Sequence, residues 1–140
     1  MTDEEKRKYI RRAFEEYTKN KARLKLLNVP NAGGVDYTRP SVVSGGGNGT
    51  ESAVVRYIDD KGDLDRKCEI VRRTMEYYAI EDKRHGGKGK REYIYQRWIR
   101  KRSCYVAAMK CNVTDRAARF WREEIYMTAE IIAEQYGLFP

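Results

Sequence analysis

The sequence predicts an all-α fold of four to five helices with a C-terminal helix–turn–helix. Three observations carry that expectation. Apolar residues recur three, four and seven apart over long stretches, the period of a helix with one buried face. Two of the three prolines and more than half of the glycines fall within residues 28–50, which read as a linker between helical parts. Residues 103–122 then run through cap, short helix, turn, cap and second helix without a gap.

Residues 1–27 form the first unit, a basic amphipathic helix over 2–27. Thr2 is placed to cap it, with Asp3, Glu4 and Glu5 in the first turn where the helix dipole favours anions. Ile10, Phe14, Tyr17 and Leu24 make its apolar stripe, and Asn28-Val29-Pro30 stops it. The Ser44–Gly49 run in the following linker lacks the Gly-Lys-Ser/Thr ending of a phosphate-cradling P-loop. A nucleotide site is therefore not expected there.

Residues 51–140 form the helical domain. Thr50 can cap a helix over 51–81 whose Val54, Ile58, Leu64, Cys68, Val71, Met75 and Tyr78 share one face. Gly62 weakens its middle by about 1 kcal/mol relative to Ala. Two shorter helices broken there are the alternative, but the phase of the stripe survives the glycine and favours one. Residues 83–90 read as a basic loop. Its single histidine, His85, has no companion ligand nearby, so no metal is expected. Residues 91–101 suggest a short helix with Ile94 and Trp98, then Tyr95 and Ile99, paired at i, i+4.

The segment that bears on function follows. Ser103 can cap a helix whose Cys104, Ala107, Ala108 and Cys111 make one small-residue face, allowing a second helix to approach closely. Cys104 and Cys111 read as small buried side chains. Asn112 tolerates the left-handed conformation that ends helices, Val113 plugs the turn, and Thr114 caps the next helix with Asp115 in its first turn. That succession predicts a helix–turn–helix at 103–135. Ala118, Trp121, Ile125, Thr128 and Ile132 would face the core. Phe120 fits no core position; it either packs on a neighbouring helix or supports a subunit contact. The opposite side of the second helix offers Thr114, Asp115, Arg116, Arg119 and Arg122 to a major groove, where arginine can grip guanine with two hydrogen bonds.

Composition agrees with that reading. The chain has 140 residues, the size of one domain, and a net charge of +8. Residues 83–122 hold thirteen Lys/Arg against two acids, Glu92 and Asp115, so the remainder is net negative. A basic half on such a remainder points to a polyanion. Lys88, Lys90, Arg91, Arg100, Lys101 and Arg102 are the candidate phosphate contacts, and double-stranded DNA the candidate partner. The longest apolar run, 104–109, is far below the roughly 20 residues of a membrane helix. No signal peptide is read at the N-terminus. Three cysteines, an odd number, fit a reducing cytoplasm rather than a disulfide framework. No nucleophile–base pair or paired carboxylates emerge, so an enzyme is the least supported class and no cofactor is called for.

Residues 103–122 resemble the helix–turn–helix of region 4 of bacterial sigma-70 factors, with Cys104 in place of Leu, Ala107 in place of Ile and Asn112 in place of Gly. The order of elements over most of the chain is similar to the RinA-like and ArpU-like phage late-transcription regulators. This resemblance implies a sequence-specific activator of phage packaging, structural and lysis genes, working in the cytoplasm of a bacterial host. It places Thr114, Asp115, Arg116, Arg119 and Arg122 on the DNA-facing side and makes host RNA polymerase a second candidate partner. The apolar stripe of 54–78 leaves a homodimer open. The alternatives are a small terminase subunit that recognises packaging-site DNA, and an adaptor that binds RNA polymerase without touching DNA.

Overall fold

The computed structural model describes residues 1–27, 47–85 and 89–140, with side chains described from residue 61 onward in the central helix. The regular structure of the described residues is all helical: α1 (Asp3–Glu15), α2 (Tyr17–Leu27), α3 (Gly47–Arg84), α4 (Lys90–Ile94) running into a π-helical turn (Tyr95–Ile99), α5 (Cys104–Lys110) and α6 (Asp115–Gln135). No strand occurs among them. Among the described residues six α-helices occur where four to five are expected, because residues 2–27 divide in two.

The division falls at Glu16, whose backbone leaves the helical region at φ −100° and ψ 9°. The Lys101 ammonium donates to the Glu15 carbonyl at 2.7 Å, just before that break. A side chain inserted into the hydrogen-bond ladder is a recognised cause of helix kinks, and one arriving from residue 101 is invisible in the local pattern. Thr2 does cap α1, reciprocally with Glu5, in a capping box.

The central helix starts at Gly47, so Thr50 lies inside it rather than capping it, and it runs through Gly62 to Arg84 as one piece. Residues 28–46 of the expected linker lie outside the described residues; 47–50 belong to α3. Likewise Lys83 and Arg84 belong to α3 and Lys90 to α4, not to a loop. Asp82 explains where α4 begins: its carboxylate accepts from the Lys90 and Arg91 backbone N–H groups at 3.2 and 2.9 Å. A Cβ on Gly89 would come within 2.5 Å of that carboxylate, so any side chain here would have to displace it.

The core lies where α1, α3, α6 and the α4–π segment meet. Phe14, Trp98 and Tyr126 pack as tilted and edge-on rings at centroid separations of 4.8 to 5.8 Å, with Tyr93 edge-on to Trp98. Ile10, Ile70, Val71, Ile94 and Ile125 complete it. Burial pushes the Tyr78, Tyr93 and Tyr126 hydroxyls up to about 12. Polar ties fix the helices around this centre. The Tyr9 hydroxyl donates to Asp63 at 2.8 Å, and Lys67 pairs with the same carboxylate at 3.0 Å. Lys6 pairs with Glu134, joining α1 to α6. No helix among the described residues is long and apolar enough to cross a membrane.

Candidate nucleic-acid interface

Two chain reversals position the basic residues. The first ends the π-helical turn: Arg100 N–H donates to the Tyr95 carbonyl at 2.8 Å, Arg102 N–H to the Gln96 carbonyl at 3.0 Å, and Lys101 sits left-handed at φ 56°. The expected 91–101 α-helix is thus shorter and widened at its end. Ser103 then caps α5, its hydroxyl accepting from Val106 N–H at 3.2 Å.

The second reversal ends α5. Asn112 is left-handed at φ 57°. Val113 N–H reaches back to the Ala108 carbonyl and Asn112 N–H to the Met109 carbonyl, both at 3.1 Å, the paired bonds of a Schellman ending. Ala107, Ala108 and Cys111 are buried and Val113 packs against the core, so the small face of α5 lies directly on its neighbours. Thr114 caps α6 by accepting from Ala117 N–H at 3.1 Å. A short helix, a turn over residues 111–114 and a 21-residue helix follow one another, with three cations, Arg116, Arg119 and Arg122, in the N-terminal part of the second helix.

Those cations differ in freedom. Arg116 is exposed and has no ion-pair partner among the described residues. Arg119 is exposed but pairs with Asp115 at 3.2 Å. Arg122 is half-buried. With Tyr93, Cys104, Asp115, Ala118 and Arg119 it lines a cavity of about 300 Å³ where α4, α5 and α6 converge. At this place the Arg97 Nε donates to the Cys104 Sγ at 3.2 Å, and the same guanidinium reaches the Arg102 carbonyl at 3.5 Å. Burial raises the Cys104 thiol, but the Arg97 bond and the Arg97 and Arg122 charges outweigh it and hold the thiol below its ordinary value of 9.0. Cys104 is thus half-buried between two guanidinium groups, whereas Cys111 is fully buried, as both were expected to be.

The remaining predicted contacts separate into free and engaged groups. Arg91, Arg100 and Arg102 are exposed. Lys90 turns inward, pairing with Glu124 at 2.9 Å and lying over the Trp121 ring at 5.4 Å. Lys101 is spent on the Glu15 carbonyl. Lys88 lies outside the described residues. Sequence reasoning missed Arg97, because the reversal at 100–103 folds α5 back upon it; no local spacing signals that contact. Phe120 is 65% exposed, outside the core as expected. No group of three or more metal-ligating side chains occurs among the described residues.

Comparison with protein-family models, curated proteins and solved structures finds no match to this chain.

Proposed function

We propose that α5, the turn at 111–114 and α6 act as a helix–turn–helix on double-stranded DNA, and that the chain is a sequence-specific transcription regulator. One observation carries the reading: the capped N-terminal end of α6 projects an exposed Arg116, without an ion-pair partner among the described residues, beside Arg119, on a helix packed against the small buried face of α5. Arg116 and Arg119 read base edges, and Arg119 must exchange Asp115 for a base to do so. Arg91, Arg100, Arg102 and Arg122 hold phosphates. Lys90 and Lys101 support the fold instead. Activation of phage late genes through RNA polymerase, and membership of the RinA-like and ArpU-like regulators, remain part of this proposal on the strength of the sigma-like 103–122 pattern.

Selection of bound duplexes from a random pool tests the reading, and recovery of no shared motif would sink it. Each good arginine–guanine contact is worth about 1–3 kcal/mol of discrimination, so Arg116→Ala should flatten the motif at one position. With these four arginines each neutralising a phosphate, affinity should fall roughly 10²-fold between 50 and 200 mM salt. Arg102→Ala should make that slope shallower by about one while leaving the motif unchanged.

A further inference from the structure

Four large apolar side chains stand in the open on adjacent ridges of α3 and α6. Tyr77 and Ile80, three apart on α3, are 45% and 58% exposed; Met127 and Ile131, four apart on α6, are 64% and 61% exposed. The ridges are antiparallel neighbours. The Tyr78 hydroxyl meets that of Thr128 at 2.7 Å, and the Arg73 guanidinium stacks 3.9 Å from the Tyr136 ring. Tyr77 follows Arg73 by four residues and so shares its ridge. Phe120, seven residues before Met127, extends the same face of α6 toward its cationic end. Isolated exposed apolar residues are ordinary, but a rimmed group of them marks a docking surface.

The two walls of this groove have opposite charge. On α3 stand Arg72, Arg73, Lys83 and Arg84; Arg72 and Arg73 pair with Glu69, Arg72 also with Glu76, and Arg84 with Glu81 at 3.5 Å, so these four cations outnumber the three acids and leave the wall net positive. On α6 stand Glu123, Glu130 and Glu134, the last partly matched by Lys6. We propose that a second copy of this chain docks here, about a twofold axis running along the groove. Rotation about such an axis lays each basic wall over the other copy's acidic wall, as an isologous contact requires. An axis across the groove would instead oppose like charges. The chosen axis also leaves both copies of α6 pointing the same way, so both arginine ends face one side of the dimer. The antiparallel pairing of α3 with α6 sets Arg84 near the height of Glu123, so these two meet between copies.

Sedimentation equilibrium of the full chain without DNA tests this, and its outcome is independent of whether the chain binds DNA. Between roughly 1 and 100 μM the chain should pass from its 16.5 kDa monomer to twice that mass. Ile131→Asp, at an exposed position that should still fold by circular dichroism, places an unpaired carboxylate in the contact and should raise the dissociation constant at least about tenfold. Arg84→Glu and Glu123→Arg should each weaken the dimer roughly fivefold, and together in one chain restore it to within about twofold. A monomer at every concentration, or a dimer indifferent to Ile131→Asp, overturns the proposal. Failure of the paired charge reversal to restore association overturns the axis.

Discussion

Lys101 and Asn112 adopt nearly the same left-handed backbone, φ 56° and 57°, at the two reversals that flank α5. They reach it for different reasons. Asparagine tolerates this conformation because its short polar side chain can satisfy local groups, and the helix it ends closes with backbone hydrogen bonds among residues 107–113. Lysine has no such preference. Its conformation is held by the π-helical turn before it, by Trp98 buried beneath that turn, and by a carbonyl eighty-six residues away. One reversal is a local event; the other exists only because α1 is already docked. The strain at Lys101, of order 1–3 kcal/mol, is offset by contacts that no window of sequence contains.

Removing the packing beneath Lys101 should produce the largest effect. Trp98→Ala deletes a buried ring in contact with Phe14, Tyr93 and Tyr126 and should cost about 3–5 kcal/mol by urea unfolding. Hydrogen exchange on that variant should show the 100–103 reversal opening more than 111–114. Equal loss at both would mean that the turns form one unit.

Asn112→Val should cost about 1–2 kcal/mol, because a β-branched residue resists φ > 0, whereas Asn112→Gly should be neutral or slightly stabilising. At Lys101 the cost has a different source, the long-range bond rather than the backbone preference. Lys101→Met keeps the strain and loses the bond to Glu15, for a cost of about 1 kcal/mol. Lys101→Gly loses the bond but relieves the strain, and should leave stability nearly unchanged. Should Lys101→Met unfold no more readily than the parent, the Glu15 contact is not what holds this turn.

Acid should separate the two reversals most gently. Burial alone would raise the Asp63 pKa, but bonds from Lys67 and Tyr9 prevail and lower it below the ordinary 3.8. Its contribution to stability is therefore complete above about pH 4 and is lost as pH falls through the lower folded value. Because Tyr9 and Asp63 tie α1 to α3, exchange protection near Lys101 should drop in that window while protection near Asn112 persists. Asp63→Asn should reduce this pH dependence, leaving the part that Glu69, also lowered by Arg72 and Arg73, contributes. In alkali the opposite sign applies: the raised Tyr78, Tyr93 and Tyr126 groups contribute stability below pH 10 that disappears as pH rises toward about 12.

The sequence by itself determined the all-helical class, the caps at Thr2, Ser103 and Thr114, the turn at Asn112 and the buried stripe of α3 from Leu64 to Tyr78. Each depends on groups within a few residues of one another, where side-chain type and spacing suffice. Tertiary structure decided the break at Glu16, the reversal at Lys101, the inward turn of Lys90 and the meeting of Arg97 with Cys104 and Arg122. It also decided which cations stay free, since a charge count does not distinguish an arginine facing solvent from a lysine used on a distant carbonyl. Contacts of that kind depend on which helices pack together, and packing is settled by the summed fit of surfaces from the whole chain rather than by any one segment.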